Sequence, residues 1–197
     1  MRGMATRKHS NARGKIVEAA SGLFFEQGYQ ATTIDHVIDR SGVSRPTLYT
    51  HFKTKEELCV EYLKERRRID LGELKEAMRK EKTAKGRFLT AARMTDHNLS
   101  STQFRGCRYF NMISEIADCN SPIAKEARVY VDGFRDILKD GIRELKASSP
   151  KYKKLDVDRT AESYYLIIGG AIMASQEYRE RWPIDRALKD IERLMEV

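Results

Sequence analysis

The chain has 197 residues, with 37 Lys and Arg against 29 Asp and Glu, and a formal net charge of +8. That length allows one or two compact domains with sizeable cores. Three cysteines make no disulfide framework, the apolar run at 164–174 is well short of the ~20 residues that span a bilayer, and no secretory segment opens the chain, so a soluble, cytoplasmic protein outside any membrane is expected.

Residues 1–10 are expected to form a disordered basic arm. Arg2, Arg7, Lys8, Arg13 and Lys15 all precede the first acidic residue, and Arg66, Arg67 and Arg68 form a second cluster. Such clusters are either a footprint for an acidic polymer or a solvated face. Residues 11–28 read as an amphipathic helix, because Ile16, Ala19, Ala20, Leu23 and Phe24 recur at helical spacing and Gly28 closes it.

The segment 31–58 carries the densest set of local signals. Thr32 and Thr33 can cap a short helix over 33–39, with Asp35 in its first turn and Ile34, Val37 and Ile38 on one face. Gly42 can take the left-handed conformation that ends a helix, and Val43 pins the turn. Ser44 caps a second short helix over 45–51, and Pro46 lies in its first turn, where no hydrogen bond is lost. Leu48 and Phe52 face inward, and Thr54 with Glu57 has capping-box spacing for a third helix from Lys55. Two short helices around a tight turn make a helix-turn-helix, which places its second helix in a DNA major groove.

Helical spacing continues over 55–81, 84–101, 107–119, 123–147, 158–180 and 184–196, with a break at 102–106 and a polar loop at 148–156. The expected fold is all-α, with about nine helices and no internal repeat. A DNA-binding domain is expected over 1–57, with the helices over 58–197 forming a second domain.

The residues Thr33, Ile34, Val37, Gly42, Val43, Ser44, Thr47, Leu48, Tyr49, His51, Phe52, Lys55 and Leu58, preceded by Phe24-Phe25-Glu26-Gln27-Gly28-Tyr29, resemble the DNA-binding head of the TetR/AcrR-type bacterial transcriptional regulators. The likeness covers about residues 11–60; beyond it only length and helix pattern agree. The resemblance implies a homodimer on a pseudo-palindromic double-stranded DNA operator. It also implies a body that binds a small-molecule effector and pairs through its two C-terminal helices, with DNA usually released on effector binding. Carried over by position, Arg45, Pro46 and Thr47 would read base edges, and Ser44 caps that contacting helix. Thr33, Tyr49, His51 and Lys55 would hold phosphates. Tyr49 and His51 can equally serve only to pack the head.

In the body, Gly106-Cys107, Asn111 and Glu115 match a pattern found in one subgroup, some members of which sense electrophiles or oxidants through this cysteine. Flanking Arg105 and Arg108 and a helix start would favour a thiolate at Cys107; a buried, inert thiol is the plainer reading. Met94, His97, Asn98, Phe104, Tyr109, Phe110, Met112, Tyr130, Phe134, Tyr165 and Met173 are candidates to line an effector pocket for a small, partly apolar molecule, although such residues also build cores. The four histidines make no metal-ligand spacing, and no phosphate loop or nucleophile elbow is present. No metal, cofactor or enzymatic activity is therefore expected. A nucleoid or division factor using the same head without an inducer, a thiol-sensing repressor, and a helical interaction protein with a vestigial motif remain as alternatives.

Overall fold

The computed structural model describes residues 3–196, and side chains from residue 12 onward. Nine α-helices account for most of them: α1 (Gly3–Gln27), α2 (Ile34–Ser41), α3 (Arg45–His51), α4 (Lys55–Lys80), α5 (Ala84–Ser101), α6 (Arg108–Glu115), α7 (Pro122–Ser148), α8 (Val157–Tyr178) and α9 (Trp182–Arg193), with a 3-10 turn at Pro150–Tyr152. Among the described residues there is no strand, and no helix is long and apolar enough to cross a membrane. The arm expected to be disordered over 1–10 is instead helical from Gly3 as part of α1, and Arg2 lies outside the described residues.

The chain divides into two compact units, one made of the residues up to Arg68 with 108–129, the other of 69–107 with 130–197. In the first, α2 and α3 pack on α1. The apolar positions of α1 are its core: Ile16, Ala20, Leu23 and Phe24 are buried, and the Phe24 ring lies 5.6 Å from that of Tyr62 and 5.7 Å from that of Tyr29. Val37 of α2, Leu48 of α3 and Leu58 of α4 are fully buried.

Local chemistry sets the helix ends. Thr33 caps α2, accepting the His36 N–H at 3.2 Å, while the His36 ring accepts the Thr33 N–H at 3.3 Å. Thr32, the other expected cap, is instead buried and donates to the Gly28 carbonyl at 2.7 Å. Gly42 ends α2 at φ +66°, its N–H returning to the Ile38 carbonyl at 2.9 Å. Thr54 accepts the Glu57 N–H at 3.0 Å, but the Glu57 carboxylate takes the N–H of Lys53, one residue before the position a capping box would use.

In the second unit α8 and α9 pack on each other and both pack on α5. Tyr164 anchors this layer. Its buried hydroxyl accepts the Ala92 N–H and donates to the Phe88 carbonyl, each at 3.0 Å, and its ring meets Phe88 edge-on at 5.2 Å. Burial pushes its phenol pKa up, so the hydroxyl stays protonated and able to donate.

Further boundaries differ from the spacing-based expectation, among them α9, which spans Trp182–Arg193 rather than 184–196. The helix expected over 107–119 is only α6, Arg108–Glu115. Asp118 folds back on the Asn120 N–H at 2.8 Å and Ser121 caps α7 by accepting the Ala124 N–H at 3.1 Å, so turn chemistry wins over apolar spacing. The polar loop at 148–156 contains the 3-10 turn, capped by Ser149.

Candidate nucleic-acid interface

The turn Gly42-Val43-Ser44 projects α3 as a short helix with an exposed N-terminal end. Ser44 fixes that end: its hydroxyl accepts the Thr47 N–H at 3.3 Å and lies 2.8 Å from the Thr47 hydroxyl. Arg45 and Pro46 are exposed and Thr47 is half-buried, while Leu48 one step on is in the core. The three residues expected to read base edges therefore share the outer start of one helix. Tyr49 is exposed and His51 half-buried. Thr33, at the start of α2, is exposed, with its hydroxyl engaged in the cap.

Lys55 differs from a free phosphate holder. Its ammonium donates to the Tyr29 and Thr32 carbonyls, each at 3.0 Å, and lies 4.2 Å from the centre of the Tyr29 ring. It pins the α1–α2 connection from the first turn of α4. Burial is the main cause that pushes the Tyr29 phenol up to about 12, so the ring stays neutral under the cation.

Three residues of the basic clusters form ion pairs within the chain. Arg13 meets Glu61 at 2.8 Å and stacks over the Phe52 ring at 5.2 Å. Arg67 meets Glu126 at 2.7 Å and Arg68 meets Glu65 at 2.8 Å. Arg67 and Arg68 of the 66–68 cluster thus each carry an ion pair on α4.

Three features of this unit had no distinct signal in the sequence. Arg45 forms an ion pair with Asp35, from α3 to α2; opposite charges ten residues apart across a helix-turn-helix are its only trace. Gln27 bridges the Thr32 hydroxyl at 3.2 Å and the His36 ring at 3.1 Å. Glu115, the last residue of α6, accepts the Gln30 N–H at 2.8 Å, and its own carbonyl accepts from the Gln30 side chain at 3.2 Å, across 85 residues of chain.

The residues expected to line a pocket are divided between the two units. Tyr109, Phe110 and Met112 belong to the first unit; Met94, His97, Asn98, Phe104, Tyr130, Phe134, Tyr165 and Met173 belong to the second. Tyr109 and Met112 are core residues, and Met112 receives the buried Cys59 thiol at 3.6 Å. Burial pushes the Cys59 pKa up, which keeps that thiol protonated and unreactive. Met173 is 65% exposed and His97 and Asn98 are exposed, so these three face outward. Tyr130 and Phe134 stack at 6.2 Å. Cys107 is half-buried just before α6. Burial first, then the nearby Cys107, raises the pKa of Tyr165. An open groove of about 730 Å³ in the second unit is lined by Lys75, Met78, Arg87 and Ile137 among others, none of them an expected pocket residue.

A capped tri-helical head that presents an exposed basic helix start defines the helix-turn-helix class of protein. Residues 16–62 match the family described as bacterial regulatory proteins, tetR family, so this head is similar to the DNA-binding head of that family. It is 47% identical over 51 residues to the HTH-type transcriptional activator FasR of Mycolicibacterium smegmatis, a match covering 26% of this chain and 23% of that protein. It is 29% identical over 137 residues to the HTH-type transcriptional regulator QacR of Staphylococcus aureus, covering 66% of this chain and 71% of that one. A crystal structure of a TetR-family transcriptional regulator from Streptomyces coelicolor has the same fold, with a TM-score of 0.84 over 94% of this chain and 95% of that one at 22% identity. The chain spans less than a quarter of FasR.

Proposed function

We propose that this protein is a sequence-specific DNA-binding transcriptional regulator of the bacterial cytoplasm, acting as a homodimer on a pseudo-palindromic operator. Repression relieved by a small, partly apolar effector is the mode that fits the type. The observation that carries this reading is the N-terminal end of α3, where the Ser44 cap sets Arg45, Pro46 and Thr47 at an exposed helix start. Residues 1–57 serve as the DNA-binding domain and 58–197 as the domain for effector and partner. No catalytic step is assigned. Pairing through α8 and α9 is supported by large apolar side chains that these helices leave in solvent, Leu166, Met173, Tyr178 and Trp182.

The test is selection of genomic fragments by the purified protein. A few enriched palindromic sites support a local regulator; dozens of dispersed sites point to a nucleoid-type role; no enrichment overturns the assignment.

Arg45 can donate a bidentate pair to guanine O6 and N7. Arg45→Ala is expected to weaken operator binding by about 1–3 kcal/mol and to relax preference at one base pair. Equal losses on operator and random duplex, measured by fluorescence anisotropy, would remove the base-reading role.

Lys55→Ala is expected to act differently. It removes a charged donor from two carbonyls, so stability should fall by about 1–2 kcal/mol and binding should weaken alike on every sequence. Thermal unfolding checks the first part; an unchanged midpoint would return Lys55 to a role on phosphates alone.

A further inference from the structure

Asp35 sits in the first turn of α2, and its Oδ1 accepts a hydrogen bond from Nη2 of Arg45, the first residue of α3. The two side chains are 63% and 55% exposed, so the pair lies on the surface rather than in the core of the head. An ion pair this exposed adds little to stability, because solvent screens it and holding two side chains costs entropy. A carboxylate next to a helix start that faces DNA also repels phosphates. The pair is therefore poorly explained as a stabilising contact.

Its geometry does have a consequence for the guanidinium. Arginine carries five N–H donors in a planar fork, and one acceptor on Nη2 leaves donors for a second partner while restricting where the guanidinium can lie. An unheld arginine of the same reach can settle on any phosphate and adds to affinity for every sequence. One that is held by a carboxylate is already oriented and partly neutralised, so it gains less from phosphates than from a base edge that matches its fork.

We propose that Asp35 is a specificity-determining positioning residue: it holds the Arg45 guanidinium for a base edge and lowers the affinity of the head for non-operator DNA. This rests on the DNA-reading function proposed above. Asp35 acts through Arg45 and need not touch DNA itself.

The experiment uses the full-length protein, the duplex enriched by genomic selection, the same duplex with each base pair replaced in turn, and a scrambled duplex. Binding is measured for wild type, Asp35→Asn, Asp35→Glu, Arg45→Ala and the Asp35→Asn/Arg45→Ala double variant over a salt series. Asp35→Asn is expected to tighten binding to the scrambled duplex several-fold. It should reduce the operator-to-scrambled ratio by about tenfold, the size of one base contact, and steepen the salt dependence on scrambled DNA by about one released counterion. Asp35→Glu, which keeps the charge, should recover part of the ratio. In the Arg45→Ala background Asp35→Asn should leave the ratio unchanged, and the thermal midpoint should move little in any variant.

If Arg45→Ala lowers the ratio and Asp35→Asn does not, the positioning role is wrong while the DNA-reading function stands. The positioning role also fails if Asp35→Asn lowers the ratio equally with and without Arg45. If wild type enriches no sequence, both the function and the positioning role fall.

Discussion

Leu166→Glu and Met173→Glu should each convert the protein to a monomer and weaken operator binding by two orders of magnitude or more. Helix α8 has two faces. Ala161, Tyr164, Ile168, Ala171, Ile172 and Ser175 are buried on one. On the other, Leu166 is 70% and Met173 65% exposed, and no atom lies within 4 Å of where a Cβ on Gly170 would sit. At 100° per residue these three fall within about 60° of each other, opposite the buried face. The result is an apolar stripe with a bare centre, which lets a second helix approach closely. Covering a leucine or methionine fully is worth about 1.5–3 kcal/mol, and two-fold symmetry counts each contact twice. A glutamate covered by a partner helix there would lose its hydration without a counter-charge. Two heads on one operator gain roughly 10²–10⁴ in avidity over one, and a monomer forfeits it. The side chains are exposed within one chain, so the fold should survive; a folded monomer by light scattering and circular dichroism, with weak operator binding, is the expected result. A variant that stays dimeric at micromolar concentration would move the interface elsewhere.

That stripe was half legible. The run at 164–174 reads as apolar on all sides, which fits burial against both a core and a partner; only the structure separates Tyr164, bonded to α5, from Met173, which faces out. The same division recurs along the chain. The turn from Thr33 to Leu48 was readable residue by residue, because the caps and the left-handed Gly42 act over three or four positions and leave their residue types in order. The end of α6 was misplaced because apolar spacing runs past Glu115 while Asp118 and Ser121 impose a turn. Contacts between distant segments left no pattern at all. Nothing in the sequence joins Glu115 to Gln30, commits the Lys55 ammonium to two carbonyls, or turns His97 and Asn98 outward. Aromatic and methionine residues at helical spacing satisfy a core and a pocket equally, so the body's function was not readable from them.

Gly28→Ala should be the most damaging single-methyl change in the head. Gly28 ends α1 at φ +91°, a conformation that L side chains rarely adopt. A Cβ there would lie 2.6 Å from Oε1 and 3.0 Å from Oε2 of Glu115. A carboxylate on a flexible side chain could usually swing clear. This one is tied, since it accepts the Gln30 N–H at 2.8 Å. It also sits on the last residue of α6, the end at which the helix dipole disfavours an anion, so the loop N–H is what rewards its position. Strain of about 1–2 kcal/mol for the left-handed alanine adds to about 1.5–3 kcal/mol for a charged hydrogen bond lost from the loop. Partial relaxation should leave about 2–4 kcal/mol, or roughly 5–15 °C in thermal midpoint for a chain of this size. The contact can be separated from the backbone strain by a cycle with Glu115→Ala. Where Glu115 is already absent, Gly28→Ala should cost only the strain, so the two changes should be strongly non-additive. Additive losses would mean that the alanine methyl and the Glu115 carboxylate do not compete, and that strain alone accounts for the requirement for glycine at this turn.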